Sequence, residues 1–168
     1  MQIDIGFDKV DKILHVADIH IRNFKRHKEY RQVFRKLYKE AKLLPKNSLI
    51  YVAGDIVHTK TDISPELVEL TSEFFRKLAD IRPTIVITGN HDANLNNSSR
   101  LDALSPIIDN LNHPNLHYLK DSGIYRVCNI DFIVMSVFDD PKDFPDARKA
   151  TGIKIGLHHG PVHNSVTD

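Results

Sequence analysis

Asp18-Ile19-His20, Gly54-Asp55, Gly89-Asn90-His91-Asp92 and His158-His159-Gly160 each set metal-binding side chains directly after an apolar run. The runs, residues 12–17, 49–53, 84–88 and 153–157, read as buried strands. Strands that finish side by side in one sheet gather their terminal residues into one place, here a site for two divalent ions. Asp18 and His20 are two apart, so in an extended strand end they face the same way and one ion can take both. Gly54 lets the chain turn tightly, so that Asp55 can bridge two ions. Asn90 offers a carbonyl oxygen to the second ion and His158 an imidazole nitrogen, a mixed set that suits manganese, iron, zinc or nickel. His91, beside a ligand, is placed to face the substrate, with Asp92 accepting from its other ring nitrogen and fixing the tautomer. Two ions bridged by a carboxylate make water nucleophilic at neutral pH and polarise phosphoryl oxygens, which points to phosphate-ester hydrolysis. Protonated His91 would assist the departing alkoxide, a contribution of roughly 10²–10⁴ in rate.

Positioning these groups needs alternating strands and helices. Apolar positions Tyr30, Val33, Phe34, Leu37, Ala41 and Leu44 recur at helical spacing over residues 28–44, and Pro45 stops that helix. Its other face carries Lys28, Arg31, Arg35, Lys36, Lys39 and Lys42. Ser64-Pro65 is a cap and first turn, predicting a helix to about residue 79. A third helix is predicted over residues 99–111, although Pro106 falls near its middle. Residues 116–119, 124–127 and 132–137 read as strands, and 139–150 as a polar loop. Strand–helix alternation followed by a run of strands predicts an α/β fold, a β-sandwich of two mixed sheets flanked by helices.

The chain, 168 residues long, suffices for one domain with a sizeable core. Lys plus Arg (23) nearly balances Asp plus Glu (22), so only local charge can speak for a polyanionic partner. The sole cysteine, Cys128, excludes an internal disulfide and fits a reducing compartment. The first residues lack the basic start and apolar core of a signal peptide, and no apolar run approaches the roughly 18 residues of a membrane span. These features predict a cytoplasmic protein without a membrane partner.

Asp18-x-His20, Gly54-Asp55, Gly89-Asn90-His91-Asp92 and a later His resemble, in order and spacing, the motifs of the calcineurin-like metallophosphoesterases. Gly54-Asp55-Ile56-Val57-His58 followed by Ser64-Pro65, with Leu157-His158-His159-Gly160, is similar to the SbcD-type DNA repair exonucleases and their viral relatives. The resemblance implies a metallophosphoesterase fold, with Asp18, His20 and Asp55 on one ion and Asp55, Asn90 and His158 on the other. It implies His91 at the transition state and His58 helping to place DNA. It further implies two ions, manganese by preference, exonuclease and endonuclease action on DNA in repair or recombination, a homodimer, and a coiled-coil ATPase subunit of the SbcC type. Such proteins work in the cytoplasm, nucleoid or nucleus, and some are virus-encoded.

The family's last motif, Gly-His-x-His, has no counterpart in residues 1–168, and Gly160-Pro161-Val162-His163 lacks its form. The chain is therefore expected to be the N-terminal portion of a longer nuclease domain, without capping domain or partner-binding tail, and with an incomplete metal site. Arg22, Lys25 and Arg26 follow the first motif directly and are candidates for phosphate contact, as is the basic helix face. Competing functions remain open at this point: a cyclic-nucleotide phosphodiesterase, a protein phosphatase or a catalytically impaired DNA-binding scaffold.

Overall fold

The computed structural model describes residues 1–160 except 96, 98 and 99. Its elements are β1 (Gln2–Ile3), β2 (Lys12–Val16), α1 (His27–Leu43), β3 (Ser48–Ala53), α2 (Pro65–Ile81), β4 (Thr84–Ile87), α3 (Ser105–Leu111), β5 (Leu116–Tyr118), β6 (Gly123–Val127), β7 (Ile130–Val134) and β8 (Ile153–Leu157). One sheet, in the order β2-β3-β4-β5, is parallel throughout. The other, β1-β6-β7-β8, is mixed, with β6 and β7 antiparallel. Two four-stranded sheets with helices against one of them make the predicted sandwich, except that only one sheet is mixed: the crossovers that link β2 to β5 return each strand in the same direction.

The apolar runs explain the layers. Every residue of β3 is buried, as expected for a parallel strand covered on both faces. Leu49, Tyr51 and Ala53 join Phe132, Val134 and Leu157 between the sheets, while Ile50 and Val52 face Phe34, Phe74 and Phe75 of α1 and α2. The Phe34 and Phe74 rings meet with centroids 4.4 Å apart and lock the two helices together. Ser64 caps α2 by accepting from the Leu67 N–H, as the sequence predicts.

The third helix is shorter than predicted. It begins at Ser105, so Pro106 lies in its first turn rather than its middle, where its missing N–H costs nothing. The expected start, Ser99, lies outside the described residues. Ahead of the helix, Asp102 accepts from the Leu104 and Ser105 N–H groups and from the Ser105 hydroxyl. The loop over residues 139–150 holds two short 3₁₀ turns, Pro141–Asp143 and Ala147–Lys149. Among the described residues no helix is long and apolar enough to cross a membrane.

Candidate metal centre

Strands β2, β3 and β4 run the same way, so their carboxyl ends, and the loops that follow, meet at one edge. The loop after β2 is tied to the loop after β3 by His20 N–H to Asp55 C=O (2.9 Å), Ile21 N–H to Ile56 C=O (2.8 Å) and His58 N–H to Ile21 C=O (3.0 Å). These three bonds bring the first two motifs together.

Asp55 is the centre. It is 3% exposed and follows Gly54, with both residues at positive φ (52° and 82°). A side chain on Gly54 would put its Cβ 2.7 Å from the Gly89 nitrogen, and a Cβ on Gly89 would lie 2.1 Å from Asp55 Oδ1. Both glycines are therefore needed for the close approach of the second and third motifs. Asp55 Oδ1 accepts from the His91 N–H at 2.9 Å. Its Oδ2 lies 3.1 Å from His159 Nε2 and 3.5 Å from His20 Nε2. Burial acts to raise the Asp55 carboxyl, but the hydrogen bonds from His159 and His91, with their charges, outweigh it and hold it below its ordinary value. The hydrogen bond to Asp55 raises the His159 imidazole in turn, against its burial.

Two triads of candidate ligands adjoin there. Asp18, Asp55 and His159 bring their donor atoms within 4.8 Å of one another, and so do His20, His58 and His91. His20 joins the two, because its Nε2 is also 3.8 Å from Asp18 Oδ1. Asp18 and His20 reach the site by a different route from the predicted one. Strand β2 ends at Val16, and both residues adopt left-handed backbone, φ 54° and 48°. Their convergence comes from strained turns held by the loop bonds above, not from the alternation of a strand.

The histidine pair after β8 corrects the expected ligand. His158 Nδ1 donates to the Met135 carbonyl at 2.8 Å and its ring rests near Phe144, so it turns away from Asp55. His159 stands in its place, donating from Nδ1 to the Ala53 carbonyl and leaving Nε2 toward the carboxylates. The parity of β8 carried this signal: Ile155 and Leu157 face the core between the sheets, and 159 continues that face.

Asp92 is the second correction. It is fully buried and accepts from Ile56 N–H (2.9 Å), Val57 N–H (2.9 Å) and Gly89 N–H (3.0 Å). Burial pushes its carboxyl up to about 7 against those three donors. It fastens the second motif to the third and does not touch the His91 ring. His91 Nδ1 donates instead to the His58 carbonyl at 2.8 Å, and a carbonyl can only accept, so that bond fixes the tautomer. His58 stands beside His91, ring centroids 5.8 Å apart and nearly parallel. Burial, and then the positive charges of Arg22, His20, His91 and Lys25, hold the His58 ring below its ordinary value.

Asn90 is half-buried and lines an open hollow of about 340 Å³ with His58, Thr59, Lys60, Thr61 and His91. A smaller hollow beside it is lined by Arg22, Asn23, Lys25, His58, Thr59 and Asp62. Arg22 and Lys25 thus adjoin the histidine cluster, while Arg26 forms the N-terminal boundary of α1. His163 lies outside the described residues.

A buried carboxylate facing two imidazole nitrogens, a second carboxylate beside it and a set of N and O donors all suit divalent metal. One further observation agrees: among the described residues, buried His20 Nδ1 has no hydrogen-bond partner. A sequence profile described as calcineurin-like phosphoesterase matches residues 11–167. The chain belongs to the calcineurin-like phosphoesterases. Calcineurin-like phosphoesterases use divalent metals to hydrolyse phosphoesters, the chemistry that the clusters predict. The chain is also 48% identical, over 174 residues, to uncharacterized protein R555 of Acanthamoeba polyphaga mimivirus. That alignment covers 95% of this chain and only 13% of the viral protein's length.

Proposed function

We propose that this phosphoesterase domain is a metal-dependent DNA nuclease, hydrolysing phosphodiester bonds in repair or recombination. What carries the reading is the basic loop over residues 22–26, which is bonded to the loop of His58 and opens onto the histidine cluster. A polymer needs cationic contacts that continue beyond the reacting phosphate. The face of α1 supplies them. Lys28, Arg31, Arg35, Lys39 and Lys42 are spaced 3, 4, 4 and 3 residues apart, which places them in one stripe about 80° wide and about 21 Å long. Arg31 is committed to Glu69 and Glu73, whereas Lys28, Lys39 and Lys42 form no ion pair among the described residues. The stripe begins where the basic loop ends.

Asp18, His20, Asp55 and His159 would hold one ion, and Asp55 with Asn90 would serve a second. The ions, when bound, supply Lewis acidity that makes water nucleophilic at neutral pH and draws charge from the phosphoryl oxygens. The Ala53 carbonyl orients His159 for that duty. The His58 carbonyl holds the His91 Nδ1–H, so that the protonated ring carries its second proton on Nε2 and can pass it to the departing alkoxide, leaving the neutral Nδ1–H tautomer. Arg22 and Lys25 receive the flanking phosphates. Manganese as the resident ion, a homodimer and a coiled-coil ATPase subunit of the SbcC type belong to the same reading.

The test is cleavage of end-labelled linear DNA with manganese, beside hydrolysis of bis(p-nitrophenyl) phosphate. DNA should be cut, and His91→Gln should lower kcat by roughly 10²–10⁴ while the manganese-induced rise in Tm persists. Ester hydrolysis without any DNA cleavage would overturn the nuclease reading.

A further inference from the structure

Phe24 stands in the middle of the basic loop with a conformation that apolar burial does not explain. It is 72% exposed, and its backbone is left-handed, φ 53°, a region unfavourable for a bulky aromatic. Arg26, two residues on, is left-handed as well, φ 58°. The bonds around the loop hold it in this shape. Asn23 Nδ2 donates to Asp62 Oδ1 at 2.7 Å, His27 Nε2 donates to the Arg22 carbonyl at 2.8 Å, and the His58 N–H donates to the Ile21 carbonyl at 3.0 Å. Its two sides are therefore pinned, one to the loop of His58 and one to the start of α1, and the ring between them is presented to solvent. Among the described residues no other ring meets it.

Strain maintained by surrounding contacts points to a function for the strained residue. The neighbours say which one. Arg22, Lys25 and Arg26 flank Phe24 along the chain, and Arg22 and Lys25 line the hollow shared with His58. An exposed aromatic ring on a loop of basic residues, two of which share a hollow with His58, matches a nucleotide: phosphate for the cations, base for the ring. We propose that Phe24 is a base-stacking finger, which receives an unpaired base of the DNA strand next to the scissile phosphate. The inference rests on the nuclease reading and narrows it to DNA that is single-stranded or frayed at the site. A paired, stacked base has no free face for the ring.

Binding is measured without divalent metal, in EDTA, so that nothing is cut. The probe is a single-stranded oligodeoxynucleotide carrying 2-aminopurine, with an abasic strand of the same length as the comparison. The parent should quench the 2-aminopurine and bind the probe more tightly than the abasic strand. Phe24→Ala should abolish the quench and weaken binding of the probe by about 5- to 150-fold, the range for one lost base–aromatic stack. It should leave the two strands bound alike, and Phe24→Trp should restore the preference. Phe24→Gly removes both the ring and the steric conflict, so its Tm should rise while the quench is lost.

Three results would overturn the proposal. In one, the parent cuts DNA and Phe24→Ala still binds and quenches like the parent, so the finger fails and the nuclease reading survives. In another, the parent hydrolyses bis(p-nitrophenyl) phosphate but neither binds nor cuts DNA, so both fail. In the last, Phe24→Ala abolishes a self-association seen by sedimentation and leaves oligonucleotide binding unchanged, which assigns the ring to a protein contact.

Discussion

Strand β8 begins beside one buried carboxylate and ends at another, and the two are handled in opposite ways. Asp131, 1% exposed, is closed on every side. Arg126 grips it with Nε on Oδ1 (2.7 Å) and Nη2 on Oδ2 (2.6 Å), and the Thr151 and Gly152 N–H groups add 2.8 and 2.7 Å bonds to Oδ2. Asp55, 3% exposed, receives one backbone N–H, and its other oxygen faces imidazole nitrogens at 3.1 and 3.5 Å. The Asp131 backbone is ordinary strand, whereas Asp55 is left-handed. A carboxylate with all its acceptors filled by rigid donors belongs to the fold. One with acceptors turned toward imidazoles that can let go belongs to ligand binding. Burial alone does not tell them apart; the identity of the donors does.

Neutralising the open carboxylate gives the largest expected effect. Asp55→Asn should lower metal-dependent phosphodiesterase activity by more than about 100-fold, since even outer hydrogen-bond partners of ligands are worth 10–100-fold. Its Tm in EDTA should fall modestly, because a carboxyl held below its ordinary value stabilises the fold at neutral pH. Manganese should raise the parent's Tm, because an ion that binds only the folded state stabilises it, and should not raise the variant's. The histidine pair sharpens the same contrast. His159→Ala should weaken manganese binding by more than about 10-fold in a titration, and His158→Ala should change it only a few-fold. The reverse order would break the assignment of His159.

Asp92 tests the comparison from within the site. It neighbours His91 in sequence, yet its three backbone donors make it a closed carboxylate like Asp131. Asp92→Ala leaves three buried N–H groups unpaired, and each costs about 1–3 kcal/mol. Urea unfolding should therefore show a loss of about 3 kcal/mol or more. A loss below 1 kcal/mol would return Asp92 to a purely catalytic role.

The same distinction explains what was legible in the sequence. The apolar run of β3 and the placement of Asp18, His20, Asp55 and His91 after strands could be read directly, because parallel strands buried on both faces leave continuous apolar segments that end together. Ser64-Pro65 was legible because capping is local chemistry. Partners contributed by distant backbone were not. Nothing near Asp92 signals that Ile56, Val57 and Gly89 will donate to it, and nothing near His91 signals the His58 carbonyl. Asp18 and His20 converge through left-handed backbone that neither residue type announces. Pro106 argued against the middle of a helix and was right to, since α3 begins at Ser105. His159 was within reach, had the parity of Ile155 and Leu157 been followed through to the pair.

The closed carboxylate should show itself most gently, through pH. The hydrogen bond from Arg126, with those from Gly152 and Thr151, holds Asp131 well below the ordinary carboxylate range. A carboxyl depressed in the folded state binds fewer protons there than in the unfolded chain. The stability it contributes is fully present above the unfolded value, about 4, and is lost as pH falls below that toward the lower folded value. Asp131→Asn removes this component. The variant should melt several degrees below the parent at pH 7, and the two curves of Tm against pH should converge as the parent falls more steeply below about pH 4. Arg126 is 43% exposed along its side chain, so salt screens part of the pairing and the difference should shrink at high ionic strength. Asp55 has one backbone donor where Asp131 has two and a bidentate Arg126, and it too is held below its ordinary value, so in EDTA Asp55→Asn should also converge on the parent in acid, but by less than Asp131→Asn. If instead the Asp55→Asn curve converges more than the Asp131→Asn curve, open and closed have been assigned the wrong way round.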